Sequence, residues 1–205
     1  MTTDFIHVYE PGTDAARPPL LLLHGTGGDE RDLLPLGRLV APGAALLSPR
    51  GRVLEHGMPR FFRRLAEGVF DEDDLRLRSD ELAGFIRAAR ARHGLAAPVA
   101  LGFSNGANIA AALLLRHPGL LAGAALLRAM VPFAQPPAAD LSGTPVLLLS
   151  GVSDPIVPAA NSARLAALLR ADGAAVTHQE LPLGHGLSRM DSALTGQWLT
   201  TLNAG

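Results

Sequence analysis

Five short segments of this chain are almost purely apolar: Pro19–His24 (PLLLLH), Ala44–Leu47, Pro98–Phe103 (PVALGF), Leu121–Leu127 and Pro145–Ser150 (PVLLLS). Val176–Leu181 is a sixth candidate strand. None alternates apolar with polar residues, so none reads as a strand with one wet face. Such strands need cover on both sides, which is the geometry of a parallel sheet between layers of helices. Only Phe5–Tyr9 alternates, which suits an antiparallel edge strand. Helical patterns occupy the intervals, at Glu30–Val40, Leu75–Arg92, Asn105–Arg116, Asn161–Arg170 and Leu187–Leu202. The expected fold class is α/β, with a mainly parallel central sheet and helices on both faces, as one domain over residues 1–205. In such sheets the working groups stand beyond the carboxyl ends of the strands.

The chain has no Cys, which excludes disulfides, thiolate metal sites and a Cys nucleophile together. It carries 18 basic residues, all Arg, against 19 acidic ones, for a formal charge of −1. That balance gives no electrostatic footprint for nucleic acid or an anionic membrane. The amino-terminal MTTDFIHVYE has no signal-peptide pattern, and every aliphatic run is far short of the ~20 residues of a membrane helix. A cytoplasmic location is expected, with no nucleic-acid or membrane partner. Scattered His and Asp show no paired ligand spacing, so no metal is expected. The His24–Gly28 run (HGTGG) lacks the spacing and the Lys of a phosphate-binding loop, and no cofactor is expected. Chemistry is left to Ser, Asp, Glu, Tyr or His.

Gly102-Phe103-Ser104-Asn105-Gly106 is the only Gly-x-Ser-x-Gly in the chain. The bare pattern is weak evidence. Its context is not: it follows one apolar run and opens an Ala- and Leu-rich helical stretch, the strand–turn–helix setting of a nucleophile elbow. The turn strains the Ser backbone and leaves no room for side chains at Gly102 and Gly106. A Ser hydroxyl is a poor nucleophile and needs a base. Three His follow Ser104. His117 stands about 18 Å away along the same helix, and His178 lies within a strand run. His185, in Leu183-Gly184-His185-Gly186, falls in a loop at the carboxyl edge. The orienting acid is expected after the preceding strand, where Asp154 stands in Gly151-Val152-Ser153-Asp154-Pro155. Asp140 and Asp172 fall at the opposite edge, and Asp191 follows the base. The oxyanion hole is assigned to the backbone N–H groups of Asn105 and Thr26. His24, ending a buried strand, reads as a structural hydrogen bonder.

These residues resemble the α/β-hydrolase superfamily, and within it the small carboxylesterase/phospholipase family, which includes bacterial carboxylesterases and acyl-protein thioesterases. The resemblance runs from about Leu20 to Leu199 through LLLHGTGGDERDLLPLG, SPRG, GFSNGANIAAALLL, SGVSDPIVP and GHGL. It implies that Ser104, Asp154 and His185 fall on the family's triad and that Thr26 and Asn105 fall on its oxyanion-hole positions. It implies neither cofactor nor metal. Acyl-protein thioesterases commonly carry Gln after the nucleophile; Asn105 departs from that pattern and speaks against a depalmitoylating role.

Between the strand runs ending at Leu127 and beginning at Pro145 there is too little chain for a helical cap, so an open, shallow cleft without a cap domain is expected. The long segment Arg50–Asp74 carries three of the seven Phe residues and leaves the sheet at the same edge as Ser104. Phe61 and Phe62 from that segment, with Met130 and Leu187, are the expected substrate contacts. Arg60, Arg63 and Arg64 read as a solvated charged loop, with carboxylate binding as the sharper alternative. The expected reaction is hydrolysis of small soluble carboxylic esters with short to medium acyl chains through an acyl-enzyme. A thioesterase or lysophospholipase is the alternative, and a homodimer is left open.

Overall fold

The computed structural model describes residues 5–202; residues 1–4 and 203–205, the ends of the span expected as one domain, lie outside the described residues. In chain order the elements are β1 (His7–Glu10), β2 (Leu20–Leu23), α1 (Leu34–Val40), β3 (Leu46–Pro49), β4 (Val53–Glu55), β5 (Met58–Arg60), β6 (Arg64–Ala66) and β7 (Val69–Phe70). There follow α2 (Glu72–His93), β8 (Val99–Phe103), α3 (Asn105–Arg116), β9 (Gly123–Leu127), β10 (Pro145–Gly151), α4 (Ala159–Ala171), β11 (Ala175–Leu181) and α5 (Arg189–Leu202). Seven strands form one sheet in the order β1-β3-β2-β8-β9-β10-β11. β1 lies at the edge and runs antiparallel to β3, while the remaining pairs are parallel.

The aliphatic runs are explained by two cores, one on each face. Leu21 and Leu23 of β2, with Val146 and Leu148 of β10, pack among residues of α2, α3 and α4. Their neighbours Leu20, Leu22, Leu147 and Leu149 pack on the other face with α1 and α5. Every second side chain thus enters a different core, so every position must be apolar. From β2 the chain crosses to β3 on one side and later returns past β2 to β8 on the other. That reversal opens a crevice beyond the carboxyl ends of β2 and β8.

Element ends follow local chemistry. α2 starts at Glu72, three residues before the predicted Leu75, because the Asp71 side chain accepts the Asp74 N–H and caps it. Gly94 then ends it in a left-handed conformation. α1 begins four residues later than expected, since Asp29 Oδ1 accepts the Arg31 N–H and holds Asp29–Leu33 as a turn. Arg50–Asp74 is no structureless loop. It folds into two hairpins, β4–β5 and β6–β7. His56 (φ 52°) and Gly57 (φ 81°) form the first turn, both left-handed as a tight two-residue hairpin demands. Neither helix nor strand lies between β9 and β10, where a cap would be inserted.

Candidate active site

β8 delivers the chain to Ser104, whose backbone sits at φ 52° and ψ −113°, and α3 begins at the next residue. The Ser104 N–H donates to Leu127 O at 2.8 Å, tying the turn to β9. A Cβ on Gly106 would lie 2.0 Å from Leu23 O, and one on Gly102 2.6 Å from Gly106 O. Gly106 is therefore required by the close approach of α3 to β2, and Gly102 by the first turn of α3 folding back against β8. The Ser104 hydroxyl does not cap its own helix. It faces His185 Nε2 at 2.9 Å.

His185 stands in the loop between β11 and α5, and its Nδ1 lies 2.8 Å from Asp154 Oδ2. Asp154 follows β10, and its side chain is fully shielded from solvent. Its Oδ1 accepts the N–H groups of Ile156 at 2.8 Å and Val157 at 2.9 Å. Burial pushes the Asp154 carboxyl up, but the Val157 and Ile156 N–H groups and His185 outweigh it and hold the carboxyl below its usual range. The Val152 N–H donates to Leu181 O and the Ser153 N–H to Leu183 O, so the two loops are joined. Ser104 and His185, with Asp154 behind His185, thus form a hydrogen-bonded relay from hydroxyl to carboxylate. Such a relay can take a proton from the hydroxyl and hold the resulting imidazolium.

Beside this relay lies a cleft of about 320 Å³. Ser104, Asn105, Thr26 and His185 line one part of it, and Phe70, Phe103, Met130, Ile156 and Val157 supply apolar wall. Thr26 and Asn105 therefore flank the same space, from the loop after β2 and from the first turn of α3. The Thr26 loop is held from behind by the first hairpin. The Gly27 N–H donates to Pro59 O at 3.0 Å, and Arg60 Nη1 donates to Thr26 Oγ1 at 2.7 Å. His24 is 1 % exposed; its Nδ1 lies 2.6 Å from Gly25 O, and its Nε2 accepts the Gly51 N–H at 2.9 Å. Burial lowers its pKa, so the ring is neutral with the proton on Nδ1.

Three expected substrate contacts fall elsewhere. Phe61 and Phe62 are 2 % and 0 % exposed and belong to the core rather than the cleft. The Phe61 ring packs against His24, and Phe62 meets Phe70 edge-on. The hairpins turn these rings inward, which the count of aromatics in the segment could not reveal. Leu187 is exposed and outside the cleft lining; Met130 does line it. Arg60 is 3 % exposed rather than solvated, held by Thr26, Phe62 O and Glu55. Arg63 remains exposed beside Asp71. Several contributors escaped sequence reasoning. Asn108 lines the cleft one helical turn after Asn105, and its Oδ1 accepts the Met130 N–H at 2.7 Å. Arg128 is fully buried against the His185 loop. Its signal was available: it is the only Arg, Asp or Glu between Arg116 and Asp140.

The sequence pattern of the phospholipase/carboxylesterase family matches residues 6–194. The putative hydrolase MhqD of Bacillus subtilis is 46% identical over 194 residues, covering 94% of this chain and 96% of that protein. The crystal structure of a Bacillus cereus carboxylesterase superposes with a TM-score of 0.94 at 46% identity, covering 96% of this chain and 94% of that one. The structure of YahD with malic acid superposes at 0.91 and 31% identity, over 97% of this chain and 99% of its own. The chain belongs to the phospholipase/carboxylesterase family of α/β-hydrolase enzymes.

Proposed function

We propose that the protein is a serine carboxylesterase acting on small esters with short to medium acyl chains. The observation that carries this reading is the unbroken contact series Ser104 Oγ, His185 Nε2, His185 Nδ1, Asp154 Oδ2 opening on the cleft. Ser104 attacks the ester carbonyl while His185 takes its proton, and Asp154 steadies the imidazolium. The oxyanion is received by the backbone N–H groups of Thr26 and Asn105. His185 returns the proton to the leaving alcohol, and water then opens the acyl-enzyme by the same route. The cleft volume is near the lower end of ligand pockets, about 300–1,000 Å³, which favours small substrates over long acyl chains. The test is a panel of esters graded in acyl length, run beside matched thioesters with Ser104→Ala as control. Oxygen esters with short acyl groups should give the highest kcat/KM. A preference for thioesters would move the protein to the thioesterase reading.

A second reading concerns substrate charge. Arg60 and Arg64 both line the cleft, and both pair with the single carboxylate of Glu55, at 3.1 and 2.9 Å. Glu67 also reaches the cleft but makes no ion pair among the described residues. Within the Arg60–Glu55–Arg64 cluster two guanidinium groups share one carboxylate, which leaves Arg64 donors for a substrate carboxylate, with the Glu67 carboxylate opposing it in the same cleft. YahD, solved with a dicarboxylic acid, is consistent with that chemistry. Arg64→Met should lower kcat/KM for a half-ester of a dicarboxylic acid by about 10-fold, at the lower end for a hydrogen bond to a charged group. Its neutral methyl diester should be unaffected.

A further inference from the structure

Arg128 follows β9 directly, in a left-handed conformation (φ 60°), and is 0 % exposed. Its guanidinium makes five hydrogen bonds, matching the number of donors it has. Nη1 and Nη2 donate to Asp191 Oδ1 and Oδ2 at 2.8 and 3.1 Å, a bidentate pair with both side chains buried. Nη1 also donates to Leu149 O at 3.3 Å. The two remaining bonds go from Nε to Gly184 O at 3.0 Å and from Nη2 to Gly186 O at 3.3 Å. These carbonyls stand on either side of His185. Asp191 in turn accepts the Ser188 N–H and hydroxyl, both at 2.8 Å, where the loop enters α5.

The loop needs such a hold. A Cβ at Gly186 would meet nothing within 4 Å, and one at Gly184 only Ser153 O at 3.8 Å. Neither glycine has a positive φ. Space and conformation therefore do not demand them, and the two residues with the widest intrinsic backbone freedom flank the ring that has to meet Ser104. A buried ion pair adds little stability over a well-packed apolar pair. An apolar pair, however, has no donors for the two carbonyls. We propose that Arg128, anchored by Asp191, is a positioning residue that fixes the His185 imidazole between Ser104 and Asp154. The proposal rests on His185 acting as the base.

The test compares the native protein, Ser104→Ala, and a double variant, Arg128→Met with Asp191→Leu, which removes both buried charges and leaves neither unpaired. Folding is checked by circular dichroism. A short-chain ester supplies kcat and KM, and the downfield proton resonance of the His185–Asp154 hydrogen bond reports the ring without reference to turnover. The double variant should lose about 10- to 100-fold in kcat, the scale of a misplacement near 1 Å, with KM little changed. Its downfield resonance should broaden or vanish. If the double variant does not fold, Arg128→Lys is measured instead. It keeps a cation beside Asp191 but cannot also reach both carbonyls, so the same two losses are expected. Native kcat, or an unchanged resonance, in the folded variant overturns the proposal. Turnover surviving in Ser104→Ala instead overturns the serine mechanism, and the resonance still tests the clamp.

Discussion

The N–H of Phe61 donates to Oδ1 of Asn105 at 2.7 Å, binding the hairpin segment to the residue after the elbow. The Asn105 side chain is thus a strut, although only its backbone N–H was expected to matter. Its Nδ2 is buried without a partner. With the Phe61 backbone fixed this way, the Phe61 and Phe62 rings lie in the core.

Phe61→Ala and Phe62→Ala should therefore each reduce stability by about 3–5 kcal/mol, the cost of emptying a buried aromatic site. Relative kcat/KM across acyl lengths should stay unchanged. Denaturant unfolding paired with the ester series decides the matter. A shifted length profile without loss of stability would return the rings to the cleft.

The elbow strain predicts a difference between two inactive variants. Ser104 has a positive φ, a conformation that costs a non-glycine residue about 1–3 kcal/mol. Ser104→Ala and Ser104→Gly lose the same hydroxyl, but only Gly relieves the backbone. After allowing for the greater entropy of unfolded Gly, Ser104→Gly should be the more stable by roughly 1 kcal/mol. Both should lose turnover by orders of magnitude. Paired melting curves would show it, and equal stability would mean that the turn stores no strain.

The sheet was legible because parallel strands buried on both faces leave a plain mark, and PLLLLH and PVLLLS admit few other readings. The proposed triad residues were legible because each lies one turn or loop beyond a recognisable strand. The 50–74 segment was not. Its hairpin turn is His56-Gly57 rather than the usual Asn-Gly, and strands of two or three residues are too short for any period to appear. Arg128 was missed for another reason. A lone Arg in an apolar run marks a buried cation, but its partner Asp191 lies 63 residues away, and nothing local connects them.

Asp154→Asn should be disabling through the orientation of its amide. The Ile156 and Val157 N–H groups both require an acceptor where Oδ1 now sits. They would hold the amide oxygen and turn the NH₂ toward His185. Nδ1 would then have to accept, the ring proton would move to Nε2, and the ring could not take the Ser104 proton. A fall of about 10⁴-fold in kcat is expected, with KM little changed. Steady-state kinetics on one ester tests it; a fall below 10-fold would mean that the tautomer is not set from Asp154.

His24 links the fold to pH. Burial is the largest influence on it and lowers its pKa, so the folded chain keeps the ring neutral where an unfolded chain would protonate it. Protonated Nε2 would confront the Gly51 N–H, a donor, with no acceptor between them. The ordinary value is about 6.5. Below that pH the unfolded state binds more protons than the folded one, so stability rises with pH through this window and is lost as pH falls. His117 and His178 are lowered by burial as well and act with the same sign. The melting temperature should therefore drop between pH 7.5 and pH 5.5. In His24→Asn one of the three contributions is gone, so the drop should be smaller, even though the variant starts from a lower value at pH 7.5. Calorimetry at the two pH values measures both slopes, and parallel slopes would remove His24 as a source of the acid sensitivity.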